Sequence, residues 1–183
     1  TNSLILNDKV LVPQYGLPED NQAIQTYQSA MPGYEIIGFN DAIGDPWYSE
    51  DALHCRTMGV FDPNMMHISH KSIRTEDVTN NSEINIELEA IDYGFETSEL
   101  ETVIVYWKYE AEDGPFGSFS LQYSDDIYAG QFPVLNSNSE IEYYIEAINA
   151  LGKTTTHPNA GFHVFTTQEG IYGDINQDFN IDI

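Results

Sequence analysis

The sequence predicts an α+β chain in which an αβ unit is followed by an all-β sandwich. In the first third of the chain, a helical stripe of apolar residues lies between two short apolar runs. In most of the remaining two thirds, apolar and polar residues alternate. The hydrophobic fraction is 41% of 183 residues, which is enough to form cores. A chain of this length holds one or two domains.

The composition is strongly acidic and limits the classes of partner. Six Lys and Arg stand against thirty Asp and Glu, so the formal net charge is −24. Phosphate backbones are bound by Lys and Arg that release counterions, and this balance therefore excludes a nucleic-acid partner. A negative field attracts cations, amines and substrates that carry Arg or Lys. No apolar run approaches the roughly 18 residues of a membrane span.

The first region is predicted to be a strand, a helix and a strand. The apolar, β-branched run 9–15 predicts a buried strand, and Pro18 suits the first turn of a helix. Apolar residues then follow at helical spacing: Ala23, Ile24, Tyr27 and Met31. A second strand is predicted over 34–39, parallel to the first because a helical crossover joins them. One such unit does not cover both faces of a parallel sheet, so the region 1–73 is expected to be incomplete by itself.

Alternation dominates the region 74–168 and predicts an antiparallel sandwich. The predicted strands cover residues 83–91, 102–110, 118–123, 141–149 and 161–167. Residues 66–73 fit either one more strand or a linker. The stretch from Tyr143 to Gly152 resembles the late strand and turn of bacterial immunoglobulin-like and fibronectin type III-like modules. That resemblance implies a fold and assigns no activity.

The segment 169–183 carries oxygen-bearing side chains at alternate positions. They are Asp174, Asn176, Asp178, Asn180 and Asp182, and they match positions 1, 3, 5, 7 and 9 of a calcium loop. Phe179 stands where the loop has its turn glycine, and the sequence stops before position 12. The segment resembles the opening of a dockerin-type repeat, which implies an incomplete Ca²⁺ site. The alternative is an acidic, disordered tail.

Cys55 is the one residue that is naturally a strong nucleophile. It follows the second predicted strand in a loop-flanked position, and loops at the ends of parallel strands commonly carry sites. The alternative is that a lone cysteine is a small buried hydrophobe. One cysteine also excludes an internal disulfide. No CxxC or HExxH spacing frames His67 and His70, so these residues do not indicate a zinc site.

The residues around Cys55 carry a family resemblance. Asp51-Ala-Leu-His-Cys-Arg-Thr57, with Trp47-Tyr-Ser-Glu50 before it, resembles the segment around the catalytic cysteine of bacterial peptidylarginine deiminases and agmatine deiminases. The stretches 10–16 and 32–38 resemble the unit that precedes that cysteine. These enzymes have the pentein fold, a propeller of αβ units around a central site. The resemblance implies that residues 1–73 form the C-terminal part of such a domain, with an immunoglobulin-like module following it as in the bacterial enzymes.

The resemblance implies that Cys55 is the nucleophile. A thiolate attacks the guanidinium carbon, ammonia leaves, and a covalent thiouronium is hydrolysed. The family supplies a histidine and two carboxylates as the remaining catalytic groups, and these are expected before Thr1. These 183 residues alone are therefore expected to turn over little or no substrate, and no cofactor is expected for catalysis. His54 is expected to support the loop, and Asp45 and Asp51 to form loop hydrogen bonds.

Two substrate classes and two non-catalytic alternatives remain open. Peptidyl arginine is preferred over free agmatine because the sandwich and the calcium-like repeat suit a bacterial protein that is secreted or held at the cell surface. One alternative is a non-catalytic module that binds carbohydrate or protein on an aromatic platform of Tyr106, Trp107 and Tyr109. Alternation places Trp107 on the opposite face from the two tyrosines, so one set is expected to be core. The last alternative is a structural spacer.

Overall fold

The computed structural model of the protein describes residues 2–40, 57–60, 62–81 and 83–168. They fold into two compact units, the first within residues 1–62 and 159–161 and the second within 63–158 and 162–183. In this part of the chain there are twelve strands, one α-helix and one 3-10 helix, Thr75–Asp77. The protein is therefore mostly β-sheet, with a single α-helix among the described residues.

The first unit is a three-stranded sheet with one helix. Its elements are β1 (Leu4–Leu6), β2 (Lys9–Pro13), α1 (Asp20–Ala30) and β3 (Glu35–Phe39). The predicted crossover is confirmed, because β2 and β3 pair in parallel and α1 lies between them in sequence. β1 was not predicted. It pairs antiparallel with β2 and is only three residues long, too short to show a pattern.

Within the described residues, one helix leaves part of this sheet uncovered. α1 packs against β2 and β3, and Val10 and Val12 are buried. By contrast, Ile5, Leu6 and Phe39 are 54%, 53% and 42% exposed. A parallel sheet normally has both faces covered, so these side chains mark apolar surface that α1 does not reach.

The second unit contains two antiparallel sheets. The first has the order β4-β5-β9-β8, with β4 at Met66–Ser69, β5 at Asn85–Asp92, β8 at Gln122–Ser124 and β9 at Ile127–Gln131. The second has the order β11-β10-β6-β7, with β6 at Thr102–Tyr109, β7 at Gly117–Ser120, β10 at Glu140–Ile148 and β11 at Thr154–His157. β12 (His163–Thr166) also pairs with β10.

Both sheets bury one common core. The apolar residues whose alternation predicted these strands are the ones that are buried. Ile86 and Leu88 of β5 point inward, and so do Ile141 and Ile145 of β10. Complete burial of such a side chain contributes roughly 1.5–3 kcal/mol. The immunoglobulin-like assignment of this unit and the propeller assignment of the first unit stay predictions.

The predicted strand 118–123 is two strands in different sheets. β7 pairs with β6, whereas β8 pairs with β9. The chain changes sheet at Leu121, whose side chain is buried and whose backbone N–H donates to the carbonyl of Val103. A change of sheet inside an alternating run preserves the alternation, which is why the sequence pattern did not show it.

A buried polar pair ties the end of β5 to the turn after β10. Asp92 is 1% exposed, and its carboxylate accepts hydrogen bonds from the Gly94 N–H at 2.8 Å and from Asn149 Nδ2 at 2.6 Å. Asn149 Oδ1 accepts in turn from the N–H groups of Leu151 and Lys153. Each of these bonds joins a donor to an acceptor. The pair therefore links the two sheets without leaving one of these buried polar groups unpaired.

Candidate functional site

The predicted nucleophile Cys55 lies outside the described residues, as do His54, Asp45 and Asp51. Their roles stay predictions. The structure does describe the β2–α1–β3 unit that precedes this segment, up to Asn40. The part of the candidate site that the structure describes is therefore the end of the sheet where β3 stops and the chain continues towards Cys55.

β2 and β3 end side by side at one edge of the first unit. Pro13 lies opposite Phe39, and the N–H of Gln14 donates to the carbonyl of Phe39 at 2.6 Å. In open α/β sheets, ligands bind outside the carboxyl ends of parallel strands, and this is such an edge. The Gln14 side chain lies against Gly38, where an added Cβ would be 2.7 Å from Gln14 Oε1. Only a glycine at position 38 therefore leaves the Gln14 side chain in its place.

Asp20 holds the loop that follows β2 at this edge. Its carboxylate accepts hydrogen bonds from the backbone N–H groups of Tyr15, Gly16 and Leu17, at 3.1, 2.8 and 3.0 Å. Bonds from N–H groups to a carboxylate are among the stronger ones in proteins. Gly16 has a φ of +74°, which glycine adopts without a steric penalty. One side chain at the start of α1 thus fixes three consecutive residues of the loop.

Replacing Asp20 by asparagine is expected to loosen this loop. The amide retains one acceptor oxygen for three N–H groups, so we expect a loss of about 1–3 kcal/mol in local stability. Hydrogen exchange of the amides of residues 15–17 measures it, and these amides should exchange faster in Asp20→Asn. Glu19→Gln is the matched control, because the side chain of Glu19 makes no capping hydrogen bond to α1. Equal exchange in the two variants would contradict this role of Asp20.

The aromatic platform predicted for the second unit is not formed as proposed. Trp107 and Tyr109 both pack against the core, with ring centroids 5.7 Å apart. Tyr106 points to the other face and stacks on Tyr144 at 4.9 Å with an interplanar angle of 10°. The expectation that Trp107 and Tyr109 face opposite sides was therefore wrong. Trp107 and Tyr109 are two positions apart on β6, and residues two apart on a strand lie on the same face, here the face of buried Val103 and Val105.

No metal centre is formed by the described residues. No three His, Cys, Asp or Glu side chains in that part of the chain are arranged to hold a metal ion. The predicted calcium ligands Asp174, Asn176, Asp178, Asn180 and Asp182 lie outside it, so the Ca²⁺ site stays a prediction. Among the described residues there is also no helix that is both long enough and apolar enough to cross a membrane.

The parallel βαβ unit and the cysteine-bearing segment after it match a class of enzymes that act on guanidino groups. Residues 1–60 match the family of Porphyromonas-type peptidyl-arginine deiminases. A curated relative, the putative agmatine deiminase of Enterococcus faecalis (strain ATCC 700802 / V583), is 39% identical over 56 residues, which is 31% of this chain. The chain spans about 15% of the length of that relative. These two matches support a relationship between the N-terminal region and the deiminases.

A solved structure, titled "Crystal structure of Br derivative BhCBM56", is similar to part of the chain. The similarity covers 45% of this chain and 76% of that structure, with 17% sequence identity and a TM-score of 0.32. A similarity at this level assigns neither a fold nor a function to the chain.

Proposed function

We propose that the complete protein is a hydrolase that converts the guanidinium group of arginine to the ureido group of citrulline, with release of ammonia. The observation that carries this proposal is the match of residues 1–60 to the deiminase family. The matched range includes both parallel strands, the connecting helix and Cys55. Cys55 is proposed as the nucleophile.

The chemistry explains why a thiolate is needed. The guanidinium carbon is a poor electrophile because its positive charge is spread over three nitrogens. The Cys55 thiolate forms a C–S bond to this carbon, and one nitrogen leaves as ammonia after it receives a proton from a general acid. A water molecule that gives its proton to a general base then adds to the carbon. Cleavage of the C–S bond releases the ureido product and the thiolate.

The described edge of the first unit suits this proposal. The segment that leads to Cys55 begins at Asn40, directly after β3, where β3 ends beside β2. Asp20 fixes the neighbouring loop, so the edge is held in place before any substrate arrives. A net charge of −24 attracts a cationic substrate over long distances.

Peptidyl arginine is the proposed substrate, and agmatine is the alternative. The β-rich second unit and the dockerin-like segment suit a bacterial protein that acts outside the cell, where protein substrates are available. We propose a secreted or surface location for the same reason, and Ca²⁺ binding by a loop that starts with the segment 174–182. A histidine and two carboxylates elsewhere in the complete protein are proposed as the acid, the base and the guanidinium ligands.

The proposal is tested in the complete protein by measuring the release of ammonia and the formation of the ureido product, which is citrulline when the substrate is peptidyl arginine. An arginine-containing peptide and free agmatine are supplied in separate assays, and labelling of Cys55 by a haloacetamidine, which carries a guanidinium-like head, is followed in parallel. Labelling of Cys55 together with turnover of the peptide supports the proposal. Turnover of agmatine alone would move the assignment to an agmatine deiminase. Turnover of neither substrate would contradict the proposed function.

A further inference from the structure

Three of the five histidines lie together inside the second unit, and a fourth lies close by. His70, His157 and His163 form the cluster, with ring centroids 4.9–6.0 Å apart, and exposed His67 of β4 is the neighbour. The register of β10 explains the meeting. Residues 143 and 145 of β10 both point into the core, and they pair with His163 of β12 and His157 of β11.

Hydrogen bonds fix the neutral form of His70. Its Nδ1 lies 3.1 Å from the backbone carbonyl of Glu87, so Nδ1 carries the proton and donates it. Nε2 is then the acceptor, and it lies 2.9 Å from the hydroxyl of Tyr143. That hydroxyl also accepts a hydrogen bond from the backbone N–H of Ile73 at 3.0 Å. Protonation of Nε2 would remove the acceptor of the Tyr143 proton, because Nε2 would then donate to the hydroxyl that already accepts from Ile73.

His157 and His163 share one proton. His157 Nδ1 and His163 Nε2 are 2.9 Å apart, and the ring planes are 26° from parallel with centroids 4.9 Å apart. The centroid distance is close to the nitrogen separation plus two ring radii, so the two nitrogens face each other in line. This contact needs one N–H group and one lone pair. Protonation of both rings puts a proton on each facing nitrogen, which breaks the contact and places two positive charges side by side.

The surrounding groups favour the neutral rings. Burial is the largest cause that lowers the pKa of His70, His157 and His163. For His163, burial together with the neighbouring His157 and His70 lowers the pKa to about 4. Within the described part of the chain, the charged neighbours that act on these pKa values are other histidines, not carboxylates. Asp and Glu are abundant in this protein, yet no carboxylate in the described part of the chain is among the groups that shift these three pKa values.

The charged groups on the neighbouring elements lie elsewhere. On β10, Glu142 contacts Lys108, Glu146 contacts Tyr106, and Glu140 at the start of the strand is exposed. On β5, Glu87 and Glu89 are exposed, and the carboxylate of buried Asp92 is bonded to Gly94 and Asn149. Exposed Lys71 follows His70. The described residues of β11 and β12 add none besides His157 and His163. A proton that enters the cluster therefore meets no counter-charge on the elements that pack around it.

We propose that this cluster is an acid-sensitive clasp, which fastens the segment 70–73 to β10 and β12 while its rings are neutral and releases that segment on acidification. The segment is held by three contacts from the cluster. They are the Tyr143 hydroxyl to His70, the Ile73 N–H to the Tyr143 hydroxyl, and the Ser72 hydroxyl to His163 Nδ1 at 2.8 Å. Protonation reverses the direction of the Ser72 and His70 contacts and leaves the Tyr143 proton without its acceptor, and it breaks the contact between His157 and His163 once both rings are charged.

The pH range of release follows from proton binding. The folded state holds His163 neutral down to a pKa of about 4, whereas an unfolded histidine binds its proton near 6.5. Between these values the unfolded chain binds more protons than the folded chain, so stability falls as the pH falls from about 6.5 towards 4. Above a pH of about 6.5 neither the folded nor the unfolded state binds this proton, so the clasp contributes its full stabilisation of the folded state.

The test compares the chain with the variant His163→Gln. Urea unfolding at pH 7 and pH 5 gives the equilibrium constant for unfolding at each pH. From pH 7 to pH 5 this constant should rise about tenfold more in the unchanged chain than in the variant. That figure already includes a discount for the partial exposure of His163. His67→Gln, which replaces an exposed histidine of β4, is the matched control and should keep the full rise. Equal pH dependence in the unchanged chain and in His163→Gln would overturn the proposal.

A second measurement needs no variant. NMR titration of the imidazole nitrogens in the unchanged chain should show His163 neutral at pH 5.5. Amide exchange at Ile73, corrected for its intrinsic pH dependence, should accelerate on acidification relative to Val103 in β6. A His163 ring that becomes charged at pH 6.5 or above, or an Ile73 amide whose corrected exchange is independent of pH, would rule out the clasp.

Discussion

Replacing Cys55 by alanine in the complete protein should abolish the formation of citrulline. Loss of a catalytic nucleophile removes the covalent pathway, so we expect kcat/KM to fall at least about 1000-fold. The expected cause is chemical, and the circular dichroism spectrum and the unfolding midpoint should therefore stay unchanged. Citrulline release from an arginine-containing peptide is the measurement.

Cys55→Ser provides a sharper form of the same experiment. Serine keeps the size of the side chain, but its hydroxyl is a far weaker nucleophile than a thiolate at neutral pH, so this variant should also be inactive. Because Cys55 is the only cysteine of these 183 residues, thiol labelling of this chain by itself reports on this residue alone. Retention of more than a tenth of the activity in either variant would show that the sulfur is not the nucleophile.

Replacing Asp92 by alanine should produce the largest loss of stability in the second unit. The change removes the acceptor of two hydrogen bonds and leaves Asn149 Nδ2 and the Gly94 N–H unpaired at a site that is 1% exposed. Leaving buried donors without a partner costs about 1–3 kcal/mol each, so we expect a loss of about 3 kcal/mol in the free energy of unfolding. Urea unfolding followed by circular dichroism measures it.

Asparagine at position 92 separates hydrogen bonding from packing. Asp92→Asn keeps the volume, but its amide group would face the amide of Asn149 as donor against donor. Rotation of Asn149 would restore that contact at the expense of its bonds to Leu151 and Lys153. We therefore expect a loss similar to that of alanine, whereas Asp125→Asn in an exposed turn should change the stability by less than about 0.5 kcal/mol. Full stability of Asp92→Asn would contradict this account.

Periodicity predicted the long elements well because each of them buries one face. The helix α1, the parallel pair β2 and β3, and the strands β5, β6 and β10 all lie where the alternating or helical spacing placed them. β9 and β11 were not predicted. β9 holds one buried side chain, Tyr128, and β11 is a polar run of threonines and one histidine, so neither has a hydrophobic pattern.

Features of the candidate site that depend on residue type alone can be predicted from the sequence. Features that depend on tertiary contacts cannot. Cys55 and its neighbours carry a local signature, which was enough to suggest the family that residues 1–60 match. The loop-holding role of Asp20, whose carboxylate accepts from three loop N–H groups, was not predicted. The meeting of His70 with His157 and His163 had no sequence signal, because it depends on the register of β10.

The sheet order β1-β2-β3 has a further consequence for handling the protein. β3 is last in that order, and no strand in the described part of the chain pairs with its outer row of backbone N–H and C=O groups, so this row offers pairing partners to a strand from another molecule. Exposed Phe39 adds an apolar contact at the end of the same strand. Mutual repulsion between molecules that each carry a charge of −24 opposes this aggregation. High ionic strength screens that repulsion, so concentrated salt favours fibre-like or amorphous self-association of the isolated chain.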